Sequence, residues 1–570
     1  MISPEQIIGR SILAFWEKDI PYLKHAMGSF EEKPILAPME SKALQIFPGK
    51  STKFFLPDSL LSQEDIDKTS LKGKAIVSEW VKACGEYSWA AYASNSLEAI
   101  LPGLLAAEAI SGALLKHNIE RFCCVMPSKP SSQLQWYSPD IPKFAFQDTL
   151  FEKFRAIPVR ECQKRILEPA APVKHDSEWD KAVYDYEQIS GATVFVIYAI
   201  DIYRFKRIIE GAKKEGKKVV ILLYSVEPDA AKKAADFYNV PVLLRPVINT
   251  VSLTDKDEKE FLLLIRLIAK FPAASKLIIS GLINRYCFLK NLYEAMKYIF
   301  SCYSPEKVFV SYGQADGLRV IEKAVEDSGL PLFNIMHAAY IDRVYKPVHK
   351  TSTMLVGFQL VKDIFYKKQP SQKVVFCESM QVKSAYETTE KVAEPEKPLV
   401  LIFHTISQTY PALAYVDGMY KRMKTLTELL SVPATLAEKI TVLCKSHPVW
   451  FEGELYKRVP VEPTHFLPPL SDAESILSKA SIIIGFNYCS SPVLQGIEQR
   501  IPTLVFNTVS DTEKISGNGF FDELQKSGIP FLTNSSAVWE IVEKILVDKS
   551  YRDMLVKNQE YIRNKIMSGF

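Results

Sequence analysis

The chain has 570 residues, of which 47% are hydrophobic and 24% charged, and its formal net charge at pH 7 is +4. A chain of this length exceeds one ordinary hydrophobic core, so two or three domains are predicted. The small net charge, with lysines scattered along the chain, argues against a nucleic-acid-binding protein. We therefore expect no nucleic-acid partner.

The nine cysteines contain no C-x-x-C pair and no His/Cys cluster at zinc spacing, so no metal site is expected. They are more simply explained as small buried side chains in a reducing compartment. The first five residues lack the basic region of a signal peptide, and the longest apolar stretch, 100–115, contains a proline and a glutamate. These features predict a cytoplasmic protein.

Residues 1–70 combine a helical opening with several prolines and are interpreted as an N-terminal extension. This segment contains Asp65-Ile66-Asp67, and a D-x-D motif can hold a metal–nucleotide pair. No buried strand precedes the motif, however, and residues 61–64 have the pattern of a helix start. The motif is therefore predicted to lie in the solvated first turn of a helix.

Between residues 71 and 385, short apolar runs alternate with helical patterns. The predicted strands span residues 122–126, 194–199, 219–224, 242–244, 308–311, 332–336, 354–357 and 374–377. This alternation indicates a parallel sheet with crossover helices. The polar, acidic stretch 378–397 that follows is the predicted linker.

A second α/β domain is predicted over residues 398–570. Its strands are expected at 399–403, 440–444, 481–486 and 501–506, and its closing helices at 535–547 and 549–567. Two successive doubly wound halves therefore follow one another in the chain, which defines an α/β fold class with two Rossmann-like domains.

Polar residues follow two predicted strands of the second domain. His447-Pro448 comes after strand 440–444, and Ser490-Ser491 comes after strand 481–486. Ligands of parallel sheets bind outside the carboxyl ends of the strands, so both motifs could face one ligand. Ser491 is a good N-cap, and a helix N-terminus binds phosphate readily. Simple capping by Ser491 and a structural role for His447 remain alternatives.

These motifs resemble those of bacterial GT-B glycosyltransferases that use CMP-activated sugars, the sialyltransferases and Kdo transferases. The resemblance covers roughly the last third of the chain. It implies two Rossmann-like domains facing a central cleft, with the donor bound by the C-terminal domain. It also implies that four residues hold the CMP phosphate: His447, Pro448, Ser490 and Ser491. The nucleotide sugar is then a substrate, and no cofactor is implied.

Several other residues near the predicted donor site are candidates for contacts with nucleotide or sugar. They are His404, Thr405, Gly485, Tyr488, Gln495 and Glu498. Glu498 corresponds, by analogy, to a carboxylate that holds the donor ribose in many GT-B enzymes. A purely structural role is the alternative for each of them.

The base for the acceptor hydroxyl is expected at a strand end of the first domain. Asp316-Gly317 follows strand 308–311 and is similar to the Asp-Gly context of the base in the sialyltransferase families; an alternative is that Asp316 caps the next helix. His337, after strand 332–336, is similar to the base of CDP-glycerol and CDP-ribitol phosphotransferases. This chain has Ala338 where a glycine is usual in those enzymes.

The predicted function is transfer of a nonulosonic or ulosonic sugar, sialic-acid-like or Kdo, from a CMP-sugar to a bacterial surface glycan, glycolipid or glycoprotein. No metal is expected to take part. Three alternatives remain: a CDP-alditol phosphotransferase, a UDP-sugar-dependent GT-B transferase and a non-catalytic GT-B binding protein. The basic residues Lys557, Arg563 and Lys565 of the last helix leave peripheral contact with the inner membrane face as an alternative to a solvated face.

Overall fold

The structure is a computed structural model. It describes residues 4–15, 19–39, 54–84, 94–119, 121–126, 154–158, 182–198, 205–224, 228–246, 266, 276–312, 316–336, 352–357, 359, 362–363, 373–377, 396–404, 426–446, 466–467, 476–486, 491–506 and 526–567. The described strands form three sheets, and all of their pairings are parallel.

The first sheet has four strands in the order β2–β1–β3–β4. The strands are β1 (Ile12–Phe15), β2 (Ile35–Pro38), β3 (Phe122–Met126) and β4 (Phe154–Pro158). The helices of this part are α1 (Ile20–Met27), α2 (Gln63–Cys84) and α3 (Ser94–Lys116), with short 3-10 helices at Pro4–Ile7 and Pro57–Leu60. Leu23 and Ala26 of α1 share a buried core with Leu13 and Phe15 of β1.

The second sheet has seven strands in the order β11–β10–β9–β8–β5–β6–β7. The strands are β5 (Thr193–Ile197), β6 (Val219–Leu223), β7 (Val242–Leu244), β8 (Lys307–Tyr312), β9 (Leu332–Met336), β10 (Thr353–Val356) and β11 (Lys373–Phe376). The helices are α4 (Lys206–Lys214), α5 (Pro228–Tyr238), α6 (Lys276–Tyr303) and α7 (Asp316–Asp327), and a 3-10 helix, Tyr186–Ile189, precedes β5.

Helices cover both faces of this second sheet because β5 is apolar on both sides. Val194 and Val196 share a core with Leu292 of α6 and Ile321 of α7. Phe195, on the opposite face, belongs to a second core with residues of α4 and α5. A parallel sheet buried on both faces is the doubly wound arrangement.

The third sheet has six strands in the order β14–β13–β12–β15–β16–β17. The strands are β12 (Leu399–His404), β13 (Thr441–Ser446), β14 (Phe466–Leu467), β15 (Ala480–Phe486), β16 (Thr503–Phe506) and β17 (Phe531–Leu532). The helices are α8 (Ala434–Ala437), α9 (Ser491–Glu498), α10 (Ser535–Val547) and α11 (Lys549–Met567).

This sheet is also doubly wound. Leu401 of β12 shares a core with Leu494 of α9 and Ile562 of α11. Its neighbour Ile402 faces the other side and shares a core with Trp539 of α10. The predicted α/β, GT-B-like fold class is therefore confirmed at the level of two successive, Rossmann-like parallel sheets.

The N-terminal part differs from the sequence prediction. Where a helical opening was predicted, the structure has a short 3-10 helix followed by strand β1. β1 pairs with both β2 and β3, so strands from both sides of the predicted boundary at residues 70/71 lie in one sheet. Phe54 and Leu56 also share a core with Val400 of β12. The described residues between 12 and 56 are thus integrated into the fold, and the domain bounds stay predictions.

Candidate functional site

The carboxyl ends of three strands meet at one edge of the six-stranded sheet. His404, the last residue of β12, is in register with Ser446 of β13 on one side and with Phe486 of β15 on the other. The chain leaves β12 towards β13 and leaves β15 towards β16, so the direction of winding reverses between β12 and β15. Ligands of doubly wound sheets bind at such a reversal.

Helix α9 begins next to this edge and is anchored by its apolar side. It starts at Ser491, and its side chains Val493, Leu494 and Ile497 are fully buried. A Cβ added at Gly496 would overlap Ile483 Cδ1 of β15. The absence of a side chain at this position therefore allows α9 to lie close to the strand, which fixes the position of its N-terminus.

We expect Gly496→Ala to destabilise the six-stranded sheet by about 1–2 kcal/mol, because overpacking a core typically costs about 1–3 kcal/mol and the helix propensity of alanine offsets part of it. Adding Ile483→Val, which removes Cδ1, should make the alanine neutral or stabilising. Thermal midpoints of the four proteins in this cycle test the coupling. Gly211→Ala in α4, where a Cβ meets open space, should be stabilising. If Gly496→Ala lowers the stability equally with isoleucine and with valine at position 483, close packing against Ile483 is not the cause.

Only some of the predicted donor-site residues fall within the described part of the chain. His404 ends β12 and Ser491 begins α9, and no side-chain position is described for either. Four predicted residues belong to ranges outside the described ones: Thr405, His447, Pro448 and Ser490. The backbone places residue 446 beside 404, so the segments that follow β12 and β13 start at adjacent points.

The remaining donor-site candidates are spread along β15 and α9. Gly485 is the penultimate residue of β15, in register with Phe403 and Val505. Gln495 is buried on α9. Glu498 ends α9, about 10 Å from Ser491 along the helix axis, and its carbonyl accepts a hydrogen bond from Arg563 Nε at 3.0 Å. Tyr488 is not among the described residues. Gly485 thus lies near the carboxyl end of β15, whereas Glu498 lies at the opposite end of α9 from Ser491.

The seven-stranded sheet has a matching reversal between β5 and β8. Asp316 is the first residue of α7, four residues after β8 ends at Tyr312. The candidate base therefore lies at the carboxyl edge of its sheet, as predicted. His337 directly follows β9 and falls outside the described residues.

The same edge carries a cluster that was not anticipated: Tyr198, Tyr224, Arg245 and Phe288. Tyr198 and Tyr224 follow β5 and β6 and stack with ring centroids 5.6 Å apart. Arg245 follows β7, and its Cζ lies 5.4 Å from the Tyr224 centroid and 4.9 Å from the Phe288 centroid. We call these four residues the arginine–aromatic cluster. The signal for it was present in the sequence, because three members occupy or follow the ends of predicted strands.

The D-x-D motif has a structural role in the N-terminal part. Asp65 lies in the first turn of α2, and its carboxylate accepts hydrogen bonds from Ser62 N at 3.0 Å and Ser62 Oγ at 2.6 Å. Asp65 N donates to Ser62 Oγ at 3.2 Å, so the pair forms a reciprocal helix cap. The Ser62 hydroxyl lowers the pKa of Asp65. The predicted solvated first turn is confirmed.

The described residues also give information on metal sites and membrane spans. Among them, no group of three or more His, Cys, Asp or Glu side chains is arranged to hold a metal ion. Within the same ranges, every helix is too short or too polar to cross a membrane.

Comparison with known proteins finds weak structural likeness. No protein-family model matches the sequence, and no curated protein matches it closely. Neisseria meningitidis UDP-GlcNAc 2-epimerase bound to UDP-GlcNAc is 12% identical, with 65% of this chain and 97% of that chain covered and a TM-score of 0.39. Acinetobacter baumannii MurG is 11% identical, covering 66% and 99%, at 0.36. Arabidopsis thaliana UGT89C1 complexed with UDP is 10% identical, covering 66% and 96%, at 0.42. Likeness of this strength carries no argument about activity or substrate.

Proposed function

We propose that the chain is a glycosyltransferase that takes a CMP-activated, sialic-acid-like or Kdo sugar and transfers it to a glycan-type acceptor. The observation that supports this proposal most strongly is the reversal point of the six-stranded sheet. There the ends of β12, β13 and β15 are adjacent, and the chain continues into the His447-Pro448 and Ser490-Ser491 motifs. Backbone N–H groups at the start of α9 would supply donors for a phosphate.

In the proposed reaction, the acceptor hydroxyl oxygen attacks the anomeric carbon of the donor sugar. The bond from that carbon to the phosphate oxygen breaks, and the electron pair leaves with CMP. His447 and the N-terminus of α9 would stabilise the charge that develops on this phosphate. Asp316 would take the proton of the acceptor hydroxyl. The two sheets would approach one another around the substrates and exclude water.

Nucleotide binding provides the first test. We expect CMP to raise the unfolding midpoint of the purified protein, with UDP, GDP and CDP weaker. A ligand at about 100 times its Kd stabilises the native state by about 2.7 kcal/mol. His447→Ala should weaken CMP binding by roughly 10- to 100-fold, because hydrogen bonds to charged groups contribute about 1.5–3 kcal/mol. Thermal shift and calorimetric titration measure both quantities.

His117→Ala serves as the matched control, because His117 is exposed just after α3 and should not affect nucleotide binding. Stronger binding of UDP than of CMP would indicate that the donor is a UDP-sugar and not a CMP-sugar. Preference for CDP, combined with a larger effect of His337→Ala than of Asp316→Ala on turnover, would indicate a CDP-alditol phosphotransferase. No response to any of the four nucleotides would reject the transferase and favour a non-catalytic binding protein.

A further inference from the structure

The arginine–aromatic cluster lies where a second substrate would approach the seven-stranded sheet. Tyr198, Tyr224 and Arg245 directly follow β5, β6 and β7, which are neighbours in that sheet. Their positions therefore share the carboxyl edge with Asp316. Tyr224 connects the cluster to α7, because a Cβ added at Gly317 would overlap the Tyr224 ring and hydroxyl. The ring thus packs directly against the residue that follows the candidate base.

Arg245 is held in a fixed position. Its side chain lies over the rings of Tyr224 and Phe288, Nη1 donates to the carbonyl of Pro246 at 3.3 Å, and only 8% of the residue is exposed. The Tyr186 hydroxyl donates to the carbonyl of Leu244 at 2.9 Å and so secures the strand end just before Arg245. A guanidinium fixed in this way loses little conformational entropy when it binds a ligand.

Stacking and hydrogen bonding use different parts of a guanidinium. The aromatic rings interact with its planar faces, whereas its five N–H donors point outward in the plane. These donors match the paired oxygens of a carboxylate or phosphate. Small-molecule sites commonly combine aromatic walls with a few such polar groups. Tyr198, which is half-buried, extends the aromatic wall beyond the cation.

We infer that the arginine–aromatic cluster is an acceptor subsite that binds an anionic sugar, with Arg245 contacting its carboxylate or phosphate and Tyr198 lining its ring. This inference rests on the proposed glycosyltransferase function and adds to it the chemical class of the acceptor. The contact through Gly317 relates the subsite to the catalytic step, because it sets the position of the subsite relative to the start of α7.

The test uses two probes, inorganic phosphate and glucuronate, titrated calorimetrically at constant ionic strength with chloride as the balancing anion. The titrations are done in the His447→Ala background to remove the phosphate contact proposed for the donor site. We expect Arg245→Met to weaken binding of the better probe at least tenfold. Arg245→Lys keeps the charge but loses the paired N–H donors of the guanidinium, so it should weaken binding of the same probe about threefold or more. Tyr198→Ala should weaken glucuronate more than phosphate.

Arg207→Met is the control, since Arg207 is exposed on α4 of the same sheet and should leave both affinities unchanged. Stronger binding of phosphate identifies a phosphorylated acceptor, and stronger binding of glucuronate an acidic sugar. The inference would be overturned if Arg245→Met and its His447→Ala parent bound the probes with equal affinity, or if the parent bound neither probe. If Arg245→Met does not fold, Arg245→Lys decides by the same criterion. CMP binding by Arg245→Met on the natural background tests the donor site separately, so failure of one proposal is not mistaken for failure of the other.

Discussion

Arg319→Met is expected to destabilise the part of the protein built on the seven-stranded sheet by about 3–5 kcal/mol, because it removes one of the two opposite charges of a buried ion pair while the other stays buried. Arg319 and Glu322 are both buried on α7, with Nη1 of the arginine 3.1 Å from Oε2 of the glutamate. The double variant Arg319→Met/Glu322→Leu should recover most of the loss, since a buried ion pair often contributes no more than well-packed apolar side chains.

The control lies on the same helix. Lys323 and Asp327 form an ion pair at 2.9 Å that is partly exposed, and Lys323→Met should cost less than about 1 kcal/mol. Chains of this size commonly unfold in several steps, so the comparison uses the midpoint of the transition that Arg319→Met affects, measured by calorimetry. A double variant as unstable as the single one would mean that the charges contribute more than the packing around them.

Most strands of the two larger sheets could be predicted because their apolar runs are local signals, whereas the two-residue strands β14 and β17 were not predicted. Val242–Leu244 and Leu332–Met336 have the predicted bounds, as do the closing helices Ser535–Val547 and Lys549–Met567. Of the four strands of the first sheet only β3 was predicted, and the others were missed for a physical reason. β1 is a run of four residues, too short for its periodicity to distinguish strand from helix. One of its partners in the sheet, Phe122, lies 110 positions along the chain from Ile12.

Some candidate residues can be identified in the sequence because they directly follow a predicted strand, and others cannot. Asp316 was selected as a candidate because it follows a predicted strand, and the same rule applied to Tyr224 and Arg245 would have selected the arginine–aromatic cluster. The buried pair Arg319–Glu322 could not be found in this way. Opposite charges three residues apart on a helix usually indicate a solvated face, and only the packing around α7 shows that they are buried.

The tight position of Gly317 against Tyr224 was equally hidden in the sequence. A glycine in the first turn of a helix has several explanations, including simple tolerance of the position. The structure gives a specific one, since any side chain there would overlap the ring of Tyr224. The start of α7, which carries Asp316, is therefore positioned by a residue from a different strand end.

Asp316→Asn is expected to reduce sugar transfer by about 10²- to 10⁴-fold, the range in which general acid–base catalysis typically contributes. Asparagine keeps the size of the side chain and removes its capacity to take a proton. Donor binding should be unchanged within about twofold, because the proposed donor site belongs to the six-stranded sheet. The nucleotide-binding experiment identifies the donor class to use. Single-turnover measurements then give the rate of sugar transfer, and titration gives the donor Kd, so the two effects are measured separately.

Asp327→Asn at the other end of α7 is the matched control. It makes the same chemical change on the same helix, but Asp327 bonds to Tyr293 and Lys323, so it should lower stability without slowing transfer. Transfer by Asp316→Asn within threefold of the parent would exclude this residue as the base, and a large loss in His337→Ala would then assign the role to His337. At high pH the acceptor hydroxyl ionises more readily, so transfer depends less on a base. If both variants transfer sugar slowly but only Asp316→Asn regains activity at high pH, Asp316 is the residue that takes the proton.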